Sequence, residues 1–330
     1  MPVRVAVIGC GQFGTVVACH AARLGHDVSL WARTEEEAAP LRDERRSPRL
    51  PGLAIPPSIR VTTDANAALE EAALVITAIP SQYARSIWKV LGEQLPDGAI
   101  LVSVAKGFEM GTLLRPSEVL LEECPSAEVV ALSGPTIATE LALSLPTALV
   151  VAGCPEATGA VQSLLAGDSW RVYPSTDLVG VESAGALKNV IAIAAGMVDG
   201  MGLGMNAKAT LLARGIAEMA RLGVALGGVR ETFFGVAGVG DLATTCFSPH
   251  GRNRTLGEKI GGGATLSEAL ASMDSVVEGV DTCRAVKDLA QRHGVEMPIA
   301  HAVDAVLFRG VNPKAALLDL MRRASMAERI

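Results

Sequence analysis

Residues 5–18, "VAVIGCGQFGTVVA", decide the fold. A short β-branched run ends at Gly9, two further glycines follow at Gly11 and Gly14, and an apolar run suited to a helix begins at once. This is the dinucleotide fingerprint in its proper setting, a glycine loop between a strand and a helix. Gly9 permits the tight turn, Gly11 lets backbone approach a pyrophosphate, and Gly14 lets helix and strand pack closely. The N-terminus of the helix then turns unpaired N–H groups toward the anion. An ordinary strand-to-helix turn can carry the same letters, but the position at the first strand of an alternating chain favours the nucleotide.

Outward from that loop, Val/Ile-rich runs alternate with helical stretches as far as about Tyr173. Strands are expected at Val3 to Ile8, Val28 to Trp31, Leu74 to Ala78, Ile100 to Val104, Val129 to Leu132 and Ala148 to Ala152. Helices are expected at Phe13 to Leu24, with Gly25 as its C-terminal stop, and at Ala84 to Leu95. After about Leu178 the alternation gives way to long Ala/Leu/Met-rich segments such as "AKATLLARGIAEMARLG" and "CRAVKDLAQRHG". Glycine joints at Gly200 to Gly204, Gly235 to Gly240 and Gly261 to Gly263 divide them. The fold class is therefore α/β: an N-terminal Rossmann-type doubly wound, mostly parallel sheet at residues 1–178, followed by an all-helical domain at residues 179–330.

Composition narrows the function. A chain of 330 residues, 49% apolar and 19% charged, is globular and long enough for two cores. Its net charge of -6 argues against nucleic-acid or anionic-membrane partners. The six cysteines are scattered, with no zinc-ligand spacing, so reduced thiols and no metal are expected. The first apolar run starts almost at Met1 and passes straight into the glycine loop, leaving no room for a signal peptide. The apolar stretch after Lys188 is interrupted by Gly196, Asp199, Gly200, Gly202 and Gly204, short of the roughly 20 clean residues of a membrane helix. A cytoplasmic protein without membrane insertion is the expectation, and "RDERRSPR" at 42–49 reads as a solvated loop.

Polar residues in apolar surroundings are the candidates for chemistry. In "SAGALKNVIAIAAG", helical projection puts Lys188 over Ala184, Ala192, Ala195 and Asp199, with Val190, Ile193 and Met197 on the other side. Small neighbours leave room for a ligand beside an amine whose pKa burial would lower toward the range of proton transfer. A lysine whose stem packs and whose head reaches water fits the same pattern. Lys106 in "SVAKGFE" and "SGPTIATE" with Gly134 and Thr136 follow strands, where such sheets bind ligands, although a surface lysine and a Gly-Pro turn also fit. Asp241 follows a glycine hinge, and "GRNR" at 251–254 sets guanidinium groups beside an amide, a phosphate-binding set or a surface helix start. Arg33, rather than an acid, stands near the end of the second strand; it could meet a 2′-phosphate, stack on adenine or face water.

Taken together, "GCGQFGT", "LPG", "AKGFE", "SGPTIATE", "LPTAL", "GALKNVIAIAAGM", "ARGIAEMARLG", "GVGDL", "GRNR", "VVEG" and "GVEMPI" occur in order from about Val3 to Leu320. The chain resembles the NAD(P)-dependent glycerol-3-phosphate dehydrogenases of the soluble bacterial type. The resemblance implies NADP or NAD as cofactor, with NADPH modestly favoured by Arg33, and reduction of dihydroxyacetone phosphate to sn-glycerol 3-phosphate for phospholipid synthesis. It implies Lys188 as proton donor and acceptor, with Asp241 and Lys106 beside it. It places the cofactor on Gly9, Gly11, Gln12, Phe13, Gly14, Arg33, Lys106, Ala138, Arg252, Val276 and Glu278. Substrate falls to Lys106, Gly134, Thr136, Lys188, Asp241, Gly251, Arg252 and Asn253. This chain departs from the usual family pattern at Gly251, where serine is common, at Ile137, and at Arg49 and Leu50, where an aromatic often precedes "LPG". A homodimer is left open. The rival readings are another two-domain hydroxyacid or ketopantoate-type dehydrogenase, and a non-catalytic NAD(P)H sensor.

Overall fold

The computed structural model describes residues 1–273 and 276–323. The chain divides into two units, residues 1–105 with 114–178, and residues 106–113 with the chain from 179 onward. In the first unit the strands are β1 (Arg4–Ile8), β2 (Asp27–Trp31), β3 (Arg46–Ser47), β4 (Leu50–Ala54), β5 (Arg60–Thr62), β6 (Leu74–Thr77), β7 (Ile100–Ser103), β8 (Glu128–Ser133), β9 (Thr147–Ala152) and β10 (Trp170–Ser175). The helices are α1 (Gln12–Arg23), α2 (Glu35–Asp43), α3 (Ala65–Leu69), α4 (Ser81–Leu91), α5 (Pro116–Glu123), α6 (Ala138–Ala142) and α7 (Pro155–Leu165).

Eight strands form one sheet in the order β10-β9-β8-β7-β6-β1-β2-β5, parallel throughout except where β9 meets β8 antiparallel. The period-two alternation of the strands feeds two separate cores. Val5, Val7, Leu30, Ile76 and Val102 face one layer, and Ala6, Ile8, Trp31, Val75 and Leu101 face the other. The strand order reverses direction between β1 and β6, the topological switch point where such sheets bind nucleotides.

All six expected strands and both helices are present, with ends moved by up to three residues at the expected starts and four at the expected stops. Sequence reading missed β10, whose Pro174 is tolerated because the strand lies at the sheet edge. The charged run 42–49 is more than a loop. It carries the end of α2 and β3, whose Ser47 is buried and pairs with Leu50.

The described part of the second unit is helical: α8 (Leu178–Gly200, whose first residue belongs to the other unit), α9 (Gly204–Ala225), α10 (Asp241–Phe247), α11 (Arg252–Gly261), α12 (Leu266–Ala271), α13 (Glu278–His293), α14 (Pro298–Arg309) and α15 (Pro313–Arg322). A 3₁₀ turn at Arg230–Phe234 and a π-helical turn at Val236–Gly240 lead into α10. Residues 106–113, expected in the N-terminal domain, belong here because Phe108 and Leu113 are buried in the helical core.

At the centre runs α8, buried on every side from Gly180 to Val198, so its projection has no solvent face. It is long and apolar enough, by length and composition, to cross a membrane, but 89% of its most apolar window is buried within the protein, as befits a core helix. Of the glycines that interrupted the sequence pattern, Gly202 and Gly204 lie beyond the end of α8, while Gly196 and Gly200 stay inside it and do not break it. They are where α11 meets its backbone: a Cβ on Gly196 would lie 1.9 Å from the Arg254 carbonyl oxygen, and one on Gly257, in α11, 1.9 Å from that of Ile193. Gly200 and Gly261 repeat the contact one turn on, at 2.2 Å from Glu258 O and 2.4 Å from Met197 O.

Gly257→Ala therefore forces the two helices apart and should cost about 1–3 kcal/mol or more of stability, the range for an overpacked core. Gly159→Ala, in α7 with open space around it, should leave stability unchanged or raise it by about 0.5–1 kcal/mol. Urea unfolding of the two variants checks the contrast.

Candidate active site

In the nucleotide unit, Gly9 adopts φ +111°, and a Cβ there would lie 2.8 Å from the carbonyl oxygen of Ala78, just past β6. A Cβ on Gly14 would come within 2.0 Å of Gly9 O. These two glycines fold the loop onto the switch point. Gly11, in contrast, has open space around its Cβ position. It precedes a helix with no side-chain cap and no acid in its first turn. That combination, an open cradle on an uncapped helix N-terminus, fits a dinucleotide pyrophosphate.

Gln12 donates from Nε2 to the Arg49 carbonyl at 2.8 Å, tying the loop to the β3–β4 hairpin. Phe13 stacks on Trp170, ring centroids 6.4 Å apart. Arg33 is exposed beyond β2, and Arg49 pairs with Glu37 at 3.5 Å. All three charges act on Cys10 in the glycine loop, whose thiol burial pushes up to about 11. Gly134 and Thr136 follow β8, and Ala138 opens α6. Among them the hydroxyls of Ser133 and Thr139 are buried without a hydrogen-bond partner, so this segment holds polar atoms suited to a ligand.

In the helical unit, Lys106, Lys188 and Asp241 come together. Asp241, 2% exposed, opens α10 straight after the π-helical turn. Its Oδ2 accepts from Lys106 Nζ at 2.6 Å, and its Oδ1 lies 3.2 Å from Lys188 Nζ. Burial pushes the Asp241 carboxyl up, but the two ammonium groups outweigh burial and hold it below the usual carboxylate range. Lys188 sits in the middle of α8. Burial lowers its pKa, Asp241 draws it back up and Lys106 presses it down again, leaving it at about 8. The residue is 6% exposed and its amine is engaged: it donates to Thr245 Oγ1 at 2.6 Å, and Thr245 donates on to Asp241 Oδ1 at 3.3 Å.

Thr245 was not anticipated. The signal was its spacing from Asp241, one helical turn on in "GVGDLATTC", which places both on one face of α10.

Asn189 and Asn253 form a second buried chain. Asn253 Nδ2 donates to Asn189 Oδ1 at 2.9 Å, and Asn189 Nδ2 donates to the Lys106 carbonyl at 2.9 Å. Asn253 Oδ1 accepts from Gly279 N at 3.0 Å, and a Cβ on Gly279 would strike that oxygen at 2.4 Å, which accounts for the glycine in "VVEG". Arg252 is exposed at the start of α11 and donates to the Val276 carbonyl at 2.9 Å, close to Glu278 at the start of α13. Gly251 caps α11, and a Cβ there would come within 2.9 Å of Thr245 O, so the close turn suits glycine.

Because the Asn253 amide is already committed on two sides, Asn253→Ala leaves the Gly279 N–H and Asn189 Oδ1 unsatisfied. It should lower stability by about 1–3 kcal/mol with no ligand present. A residue that only touched ligand would show no such change in a denaturant melt.

Comparison with known proteins gives one answer. Sequence profiles for the NAD-dependent glycerol-3-phosphate dehydrogenase N-terminus and C-terminus match residues 4–158 and 177–318. The glycerol-3-phosphate dehydrogenase (NAD(P)+) 2 of Salinibacter ruber is 45% identical over 99% of this chain and 97% of its own. The crystal structure of glycerol-3-phosphate dehydrogenase from Coxiella burnetii superimposes with a TM-score of 0.93 at 33% identity, covering 98% of this chain and 99% of that one. A ketopantoate reductase from Ralstonia eutropha, 16% identical with a TM-score of 0.60 over 97% of this chain and all of its own, shares the fold alone.

Proposed function

The chain belongs to the NAD(P)-dependent glycerol-3-phosphate dehydrogenases, and we propose that Lys188 is the group that moves the proton in its reaction, with Asp241, Lys106 and Arg252 as its partners. It is an oxidoreductase, and its cofactor is NAD or NADP. The substrate pair is dihydroxyacetone phosphate and sn-glycerol 3-phosphate. The observation that carries the assignment is a buried amine held 3.2 Å from the Asp241 carboxylate and 2.6 Å from the Thr245 hydroxyl, with a second lysine on the same carboxylate.

The nicotinamide, when bound, supplies the hydride that the C2 carbonyl carbon accepts. Lys188, as its ammonium, gives a proton to the C2 oxygen as negative charge grows there, so a single group acts as acid and as electrostatic stabiliser. In the direction of oxidation the neutral amine takes the hydroxyl proton. Asp241 holds Lys188 and Lys106 in place and keeps the pair of ammonium groups from expelling one another's charge. Thr245 fixes the direction of the Lys188 amine. Arg252, exposed at the head of α11, meets the substrate phosphate, and Asn253 sets that turn through Asn189 and Gly279. The phosphate grip turns remote binding energy into orientation at C2. Gly9, Gly11 and Gly14 hold the pyrophosphate, and the open Arg33 together with Arg49 favours a 2′-phosphate, hence NADPH.

Lys188→Ala should lower turnover by roughly 10² to 10⁴-fold with cofactor affinity retained; near-normal turnover removes Lys188 from the mechanism. The pH dependence has opposite signs in the two directions. Reduction needs the ammonium, so kcat/KM should fall as pH rises through about 8, whereas oxidation needs the free amine and should rise over the same interval. Initial rates with dihydroxyacetone phosphate, NADH and NADPH side by side test the function and the cofactor together.

A further inference from the structure

Asp199, next to last in α8, meets two cations at once. Lys208 of α9 donates to both its oxygens, at 3.0 and 2.7 Å, and Arg254 of α11 donates to Oδ2 at 2.6 Å. Arg254 also reaches Glu258 on its own helix at 3.2 Å. Lys208 is 4% exposed, and its ammonium stands 5.0 Å from the ring centroid of Phe247 at the end of α10. Three helices thus meet on one carboxylate.

Burying an ammonium costs several kcal/mol of hydration, and an apolar side chain of the same volume often serves stability as well or better. What such a replacement cannot supply is direction. The glycine contacts between α8 and α11 bring backbone against backbone and have no side-chain knobs to set rotation or slide. The charged bridge joins the same two helices through a planar fork on Arg254, which has a defined geometry. Arg254 lies in the first turn of α11, two residues from Arg252.

We infer that Asp199 and Lys208 are positioning residues for the phosphate end of the substrate. By locking Arg254 they fix the first turn of α11 and therefore the place from which Arg252 works. The inference rests on the reading of Arg252 as the phosphate partner.

The test compares dihydroxyacetone phosphate with dihydroxyacetone, which lacks the group to be positioned, using NADPH and the full chain. In Lys208→Met, kcat/KM for the phosphorylated ketone should fall on the order of 10 to 100-fold, the scale of a displaced binding group. The same constant for dihydroxyacetone should stay within about twofold, and Lys208→Arg, which keeps charge and donors, should restore the preference. If Lys208→Met does not fold, Arg254→Lys keeps the charge, loses the fork and should give the same selective loss in smaller measure. Equal losses on both ketones, or no loss on either, overturn the positioning role. A wild-type protein that does not reduce dihydroxyacetone phosphate at all would instead overturn the reading of the site itself.

Discussion

Two ammonium groups share one carboxylate. Lys106 and Lys188 arrive from distant parts of the chain and are both within 3.2 Å of Asp241, which is buried together with Lys188 while Lys106 is partly exposed. Removing the carboxylate would leave the buried Lys188 ammonium beside a second like charge with no counter-ion, a loss on the scale of about 3–5 kcal/mol for a broken buried pair. Keeping it leaves Lys188 in balance, because burial and Lys106 press its proton off while Asp241 holds it on. An amine in that balance can give or take a proton near neutral pH, which the ordinary lysine of a protein surface cannot do efficiently.

Much of the helical unit serves that arrangement. Asp241 is delivered by a π-helical turn, a motif that places side chains a normal helix would misdirect. The α8 helix supplies Lys188 and Asn189 from a core position, and its glycines admit α11 at backbone contact distance. Asn189, Asn253 and Gly279 then link α8, α11, α13 and the Lys106 backbone by buried amides whose polar atoms find one another. Polar groups that cost stability when unpaired here fix the relative place of the residues around Lys188.

The nucleotide unit was legible because its signals are local. A glycine loop after a strand, period-two burial and a helix start all fall within a dozen residues of Gly9, and the parallel sheet follows from their alternation. The helical unit gave up its class, but its partners followed only from the family resemblance and not from the pattern of residues. That Lys106 belongs with Asp241 depends on Phe108 and Leu113 sinking into the other core, a long-range choice that spacing along the chain does not record. The commitment of Asn253 to Asn189 and Gly279 was equally hidden, because spacing along the chain does not record which buried amides meet. Asp199 shared a projected face with Lys188, yet its partners come from α9 and α11. Tertiary pairing, not local propensity, decided each of these.

The most direct measurement is the titration of the Lys188 amine itself in protein labelled with ¹⁵N at lysine Nζ, assigned by comparison with Lys188→Arg. The account predicts a midpoint near 8, moving lower in Asp241→Asn as the counter-charge is removed. An amine that stays fully charged to about pH 10, like an exposed lysine, would contradict it.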